Sequence, residues 1–195
     1  AVLYATGRKP NTANIGLEHT DITTNERGAI VVNDTCESSV PGVYAVGDVN
    51  GSPQFTYISL DDFRIVFGAL TGNGQYTLKD RKNIPYTTFL TPPLARVGLT
   101  EEESINKGYT VKTKEMLVAT MPRAHVNDYL KGAFKIVVDA ESNLILGATL
   151  YSQGAEELIN LIKMAMDNNI PYTYFKNQIF THPTMAENLN DLCNF

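Results

Sequence analysis

His182 and Glu187 lie in Thr181-His182-Pro183-Thr184-Met185-Ala186-Glu187, and His182 is one of three histidines in the chain. The residue before a proline is kept out of the helical region, so His182 is expected in extended chain. The spacing predicts a last helix from about Met185 to Leu192 with Glu187 in its first turn. A carboxylate bonded to one ring nitrogen fixes the imidazole tautomer and raises its basicity, which makes a proton-transfer dyad. Thr184 and Glu187 also have the spacing of a capping box, in which the carboxylate bonds only backbone N–H groups. Taken by themselves, these residues favour the cap.

A second constellation begins at Gly47-Asp48, where a predicted strand ends in the loop Asn50-Gly51-Ser52-Pro53 and a helix follows. A strand-end carboxylate beside a helix N-terminus suits a polyhydroxyl ligand with an electron-rich end. The carboxylate accepts hydrogen bonds from hydroxyls, and the helix offers free N–H groups and positive potential. From these residues alone the favoured reading is that Asp48 serves only the loop backbone, as aspartate often does. Cys36 and Cys193 stand far apart, with no cysteine or histidine nearby in sequence, and read as ordinary thiols. His19 and His125 read as surface or loop residues. Gly72-x-Gly74 follows a helix rather than a strand and is no dinucleotide fingerprint. No metal site is expected.

The elements that must hold these residues can be read from the apolar pattern. The chain opens inside the run Ala1-Val2-Leu3-Tyr4-Ala5, which reads as a buried strand. A start in mid-strand predicts the C-terminal part of a longer polypeptide. Short strands are expected at Ala29–Val32 and Val43–Val46, and a helix from about Tyr57 to Leu70. The charged stretch Lys79–Asn83 marks a boundary, giving domains 1–83 and 84–195. Beyond it, strands are expected at Tyr86–Leu90 and Ala95–Leu99, then a capping box at Thr100 and Glu103 opening a short helix. An edge strand follows at Tyr109–Val118. Phe134, Ile136 and Val138, then Leu144, Leu146, Ala148 and Leu150, alternate around a loop at Ala140–Asn143, as in a hairpin. A helix over about Ala155–Asn168 places Leu158, Leu161, Ile162 and Ala165 on one stripe. Ile159, Met164 and Met166 widen that stripe, which suits a deep core or a contact with a second subunit. The fold class is α+β from residue 84 onward, an antiparallel sheet with flanking helices. A partial α/β nucleotide-binding segment precedes it.

Composition removes other classes. Sixteen basic against 21 acidic residues give a formal net charge of −5, and no basic run suggests a nucleic-acid surface. Apolar residues make up 43% of the chain, enough to build a core. No stretch reaches the length of a membrane span. A cytoplasmic protein is the expectation.

Three ordered motifs resemble the flavin-dependent pyridine nucleotide-disulfide oxidoreductases. They are Ala5-Thr6-Gly7-Arg8-Lys9-Pro10-Asn11, Gly42-Val43-Tyr44-Ala45-Val46-Gly47-Asp48-Val49 and His182-Pro183-Thr184-x-x-Glu187. Gln54–Asp62, Gln178–Pro183 and Glu187–Leu192 are similar to the bacterial RclA-type branch, associated with reactive chlorine resistance and hypothiocyanous acid reduction. The resemblance implies that Asp48 binds the ribityl chain of FAD. It places Gln54, Phe55 and Thr56 at the cofactor, with the Thr56 N–H facing the flavin pyrimidine edge. Gly7 and Arg8 would lie where the nicotinamide domain rejoins the FAD domain. His182 and Glu187 would form the acid–base dyad, serving the partner subunit of a homodimer. Residues 1–83 would be a remnant of the NAD(P)- and FAD-binding domains, and 84–195 the dimerisation domain. In such an enzyme a hydride passes from NAD(P)H to FAD, then electrons reach a cysteine pair and an oxidised small molecule or disulfide. The cysteine pair and both glycine-rich dinucleotide loops are missing from this chain, so no complete active site is expected in it. The adjacent C-terminal cysteines of mercuric reductase and the C-terminal redox pair of the larger thioredoxin reductases are also missing. The remaining alternatives are a catalytically idle dimerisation module, or a relative of dihydrolipoyl dehydrogenase, glutathione reductase or mercuric reductase.

Overall fold

Alternation of apolar side chains, broken by the buried Val137 at the loop end, builds the central hairpin of the second half. Strands β4 (Ala133–Asp139) and β5 (Ile145–Tyr151) pair antiparallel, with Phe134 opposite Leu150 and Ile136 opposite Ala148. These four side chains are buried on one face. The register shifts at Val137/Val138, just before the loop, where the Asp139 carboxylate accepts from the Ser142 N–H and hydroxyl. The remaining strands are β1 (Tyr86–Thr88), β2 (Leu94–Gly98) and β3 (Val111–Leu117). They complete an antiparallel sheet of five strands in the order β1-β2-β5-β4-β3. β3 therefore lies at an edge, as its polar pattern predicts.

The computed structural model describes residues 1–195, which fall into two compact units, Ala1–Arg81 and Lys82–Phe195. In the second unit the sheet is joined by α2 (Glu101–Asn106), α3 (Pro122–Val126), α4 (Ala155–Asp167), α5 (Tyr172–Asn177) and α6 (Asn188–Leu192). The capping box on α2 has both of its bonds. Glu103 N–H donates to Thr100 Oγ1 at 3.1 Å, and Thr100 N–H donates to Glu103 Oε2 at 2.7 Å. α4 packs on the sheet through Leu158, Ile159, Ile162 and Ala165. That corrects the expected stripe: Ile159 is 2% exposed and belongs to the core, whereas Leu161 is 38% exposed. A helical stripe wider than one sheet face must leave some apolar side chains outside, and Met164 is exposed with Leu161. α5 was not anticipated. Its run Tyr172-Thr173-Tyr174-Phe175 has strand-like composition, yet Tyr172 and Phe175 are buried from a helix.

In the first unit α1 spans Thr56–Thr71 and ends on Gly72 in the left-handed conformation. The strands expected there do not form. Ala29–Val32 makes a single bridge, Thr24 with Ile30, and Val43–Val46 makes only the bridge of Glu37 with Tyr44. Ala1–Ala5 has no regular structure, and Val2, Leu3 and Tyr4 are exposed. Apolar runs report that a segment is suited to burial, but a strand also needs a neighbour to take its backbone hydrogen bonds. No segment of this chain supplies a full ladder to these three. The buried face of α1 consists of Ile58, Asp62 and Ile65, and Leu60, Phe63, Phe67 and Leu70 lie exposed on it. No helix of the molecule is long and apolar enough to cross a membrane.

Candidate functional site

The segment Gly47–Asn50 forms a 3-10 turn just before α1. Gly47 has φ +73°, and a Cβ there would fall 2.6 Å from Ser59 Oγ. Only glycine lets the turn lie flush against the helix. The turn is held from α1 by Asp62, which is fully buried. Gly47 N–H donates to Asp62 Oδ2 at 2.7 Å, and Asn50 Nδ2 donates to the same oxygen at 2.9 Å. Arg81 closes the set, its Nη2 donating to Asp62 Oδ1 and its Nε to Asp61 Oδ2 at 2.7 Å. Asp62, not Asp48, satisfies the loop backbone. The Asp48 carboxylate is exposed and makes no hydrogen bond within the chain.

Phe55 precedes α1 and gives it no side-chain cap. Thr56 is exposed, and its N–H finds no acceptor in the chain. The first turn of α1 therefore keeps donor capacity and positive potential. The Phe55 and Tyr57 rings stack at 5.1 Å between centroids, and Gln54 is half-buried beside them in sequence. Asp48 and the start of α1 thus present an acceptor and a donor in one unit. This donor set suits a ligand with hydroxyls and an electron-rich edge, as FAD has. Gly7 and Arg8 are exposed, and no hydrogen bond or ion pair ties them to that turn.

In the second unit His182 Nδ1 lies 2.8 Å from Glu187 Oε2. Glu187 Oε1 accepts the Thr184 N–H at 3.0 Å, and Glu187 N–H donates to Thr184 Oγ1 at 3.3 Å. Both arrangements weighed from the sequence are present together, one on each carboxylate oxygen. The helix is shorter than expected, however. α6 begins at Asn188, so Glu187 is the residue preceding it rather than part of its first turn. The Thr184 and Glu187 side chains bond the turn 184–187, which leaves the helix to start after them. The histidine side chain is 68% exposed and that of Glu187 19%. His182 Nε2 has no partner within the chain.

The hydrogen bond to His182, above all, holds the Glu187 carboxyl below its ordinary range, with the Thr184 N–H adding to it against the effect of burial. A folded-state value below the unfolded one contributes stability that is fully present above the ordinary glutamate value of about 4.3. It is lost as pH falls through the folded value. The melting temperature of the wild-type chain is therefore expected to fall further between about pH 6 and about pH 3 than that of Glu187→Gln. Equal falls in thermal melts of the two would contradict this coupling.

Cys36 and Cys193 are both free and fully buried. Burial, with a smaller push from Asp62, raises the Cys36 thiol to about 11, and burial raises that of Cys193 to about 12. The thiolate is the reactive form, so both are expected to resist a thiol reagent in the folded chain and to react once denaturant is added. Rapid labelling of either in the native state, followed by mass spectrometry, would contradict their placement. His19 and His125 are exposed, the latter with Nε2 2.8 Å from the Ala119 carbonyl. No group of three or more histidine, cysteine, aspartate or glutamate side chains is placed to hold a metal.

Residues 84–193 match the pyridine nucleotide-disulphide oxidoreductase dimerisation domain, and residues 1–62 match the pyridine nucleotide-disulphide oxidoreductase family. The chain belongs to the pyridine nucleotide-disulphide oxidoreductases. It is 47% identical over 192 residues to the probable pyridine nucleotide-disulfide oxidoreductase RclA of Escherichia coli, covering 98% of this chain and 44% of that protein. Mercuric reductase of Staphylococcus aureus is 35% identical, over 96% of this chain and 34% of its own length. Among solved structures, the HOCl-induced flavoprotein disulfide reductase RclA from Escherichia coli superposes with a TM-score of 0.93. It shares 46% identity over 97% of this chain and 43% of that one. LpdA from Mycobacterium tuberculosis superposes with a TM-score of 0.84 at 22% identity, over 95% of this chain and 40% of its own, which speaks for the fold alone. The chain thus spans less than half the length of these relatives. This family of reductases depends on FAD and NAD(P)H. The sheet and helices after residue 84 are its dimerisation fold.

Two features of the Gly47–Asn50 turn carry no signal in the sequence, Asp62 as its anchor and Arg81 as the counter-ion of Asp62. Arg81 stands 19 residues after Asp62, inside a stretch that reads as a linker, and no motif joins them.

Proposed function

We propose that this chain is the C-terminal portion of an FAD-dependent NAD(P)H:disulfide-type oxidoreductase, in which it supplies part of the flavin site, the homodimer interface and an acid–base dyad. The observation that carries the catalytic reading is the 2.8 Å bond between His182 Nδ1 and Glu187 Oε2. Glu187 is itself fixed by Thr184, so the imidazole is oriented from one side with Nε2 presented outward. Nε2 then holds a proton and delivers it to a departing thiolate, the role in which a histidine contributes most near neutral pH. That thiolate belongs to a cysteine pair that Cys36 and Cys193 do not provide, both being buried. FAD, when bound, carries electrons between the nicotinamide and that pair. Asp48 would accept hydrogen bonds from its ribityl hydroxyls, and the Thr56 N–H would donate to its pyrimidine edge. Gly7, Arg8, Gly47, Gln54 and Phe55 complete the proposed cofactor-binding set. The substrate would be a small reactive oxidant of the hypothiocyanous acid or reactive chlorine type, supported by the likeness to a reductase described as HOCl-induced. A cytoplasmic homodimer without nucleic-acid or membrane partners is part of the same proposal.

Exposed apolar side chains Leu161 and Met164 on α4 support pairing of two copies, since apolar surface of this kind favours an isologous interface. Light scattering of the purified chain at micromolar concentration is expected to give the mass of two copies, and a clean monomer mass would contradict the interface. Visible absorbance separates the flavin reading from an idle dimerisation module. A yellow chain after incubation with FAD and gel filtration supports the flavin site, and a colourless dimer supports the module.

A further inference from the structure

Asp62 is a carboxylate with no exposure, placed on the inner face of a helix otherwise buried through Ile58 and Ile65. A buried carboxylate is costly unless it is paired and its oxygens are hydrogen-bonded. Here it is both. Oδ2 takes the Gly47 N–H and the Asn50 amide, and Oδ1 takes the Arg81 guanidinium. Asn50 is used completely, its Nδ2 also donating to the Ala45 carbonyl at 3.1 Å and its Oδ1 accepting the Ser52 N–H at 2.9 Å. Arg81 has a side chain only 9% exposed and spends its fork on both Asp61 and Asp62, the planar geometry that suits arginine and not lysine. The Gly47–Asn50 turn is thus pinned at its first and last residues from one carboxylate. Asp48, between those two residues, is left with a free side chain.

We propose that Arg81 is a positioning residue for the flavin: through Asp62 it holds the Gly47–Asn50 turn so that the Asp48 carboxylate faces the cofactor. The proposal rests on the reading of Asp48 as a flavin-binding residue. Arg81 need not touch the cofactor. Without its charge, Asp62 would be a buried anion with only neutral donors. It would then draw water, which loosens its grip on Gly47 and Asn50. The Asp48 carboxylate would then have to be ordered at the expense of binding affinity.

The test uses the full-length protein stripped of FAD. The dissociation constant for added FAD is read from flavin fluorescence quenching, with a thermal melt of each apoprotein alongside. Arg81→Met is expected to weaken FAD binding about tenfold, the scale of one lost charge-assisted hydrogen bond. Arg81→Lys keeps the charge but not the fork, and is expected to recover part of that loss. Asn50→Ala removes one clamp from a half-buried side chain and leaves the buried ion pair intact, so it serves if Arg81→Met does not fold. It is expected to weaken FAD binding several-fold, on the order of one neutral hydrogen bond. Wild-type FAD affinity in both Arg81→Lys and Asn50→Ala would overturn the proposal. So would an Arg81→Met protein that melts earlier but binds FAD normally, since Arg81 would then be structural only. Asp48→Asn distinguishes failure of the foundation. If it binds FAD as the wild type does, the flavin reading of this turn falls, whereas its weakened binding beside intact Arg81 and Asn50 variants removes only the positioning role.

Discussion

His182→Ala is expected to slow turnover of the full-length enzyme by about a hundred- to ten-thousand-fold, the contribution typical of a positioned general acid–base group. Flavin content and dimer mass should not change. The histidine side chain is largely exposed, and its only hydrogen bond is to Glu187, so little packing is lost with it. Surface substitutions away from buried networks usually alter stability by less than about 0.5 kcal/mol. A large rate loss with a nearly unchanged melting temperature is therefore the signature of a catalytic role. Steady-state turnover, absorbance of bound flavin and light scattering check the three parts. Wild-type turnover would remove the catalytic assignment and leave a histidine in a turn of a dimerisation domain.

Phe134→Ala carries the largest expected cost in stability, about 3–5 kcal/mol, as for other aromatic side chains removed from a core. Phe134 lies on β4, flanked by β5 and β3, with Leu150 and Met116 as its register partners. It is fully buried among the side chains that α4 covers. β4 itself is hydrogen-bonded on both sides, so the site can collapse only partly. Urea unfolding followed by far-ultraviolet circular dichroism is the check. A loss below about 1 kcal/mol would show that the centre of this sheet is not the packed core described.

The second half was legible because its periods are clean. Alternation from Phe134 to Val138 and from Ala148 to Leu150 sets the hairpin and its register, and a slip of one residue would turn every one of these side chains to the other face. Thr100 and Glu103 announced α2 by chemistry rather than by period. The first half carries apolar runs without the pairing partners a strand needs. Ala1–Ala5, Ala29–Val32 and Val43–Val46 have strand composition, but pairing is a non-local property that composition does not carry. At α6, the Thr184 and Glu187 side chains bond each other's backbone in the preceding turn, which delays the helix beyond the point that spacing suggests.

The candidate sites divide in the same way. Local constellations were visible: His182 with Glu187, and Asp48 with the start of α1. For Glu187 the residues favoured the cap over the dyad, but one carboxylate has two oxygens and Glu187 uses them for both purposes. At the other site the loop was served by a different aspartate from the one considered. Asp62 reaches back 15 residues to Gly47 and is neutralised by Arg81 further along the chain, and no periodic signal marks such a partnership.

Turnover of Glu187→Gln, at matched flavin content, tests the dyad most directly. Glutamine can still offer an oxygen to the Thr184 N–H, so the turn should be kept. Toward His182 it offers either a neutral acceptor or an N–H in place of a carboxylate. The imidazolium then loses its supporting charge, or the ring adopts the other tautomer. If His182 and Glu187 act as a dyad, turnover falls clearly below wild type, though less than in His182→Ala, and the melting temperature at neutral pH falls only by the charge-dependent part of the Glu187 bonds. Wild-type turnover in Glu187→Gln would mean that Glu187 serves only to brace the turn, and would contradict the dyad.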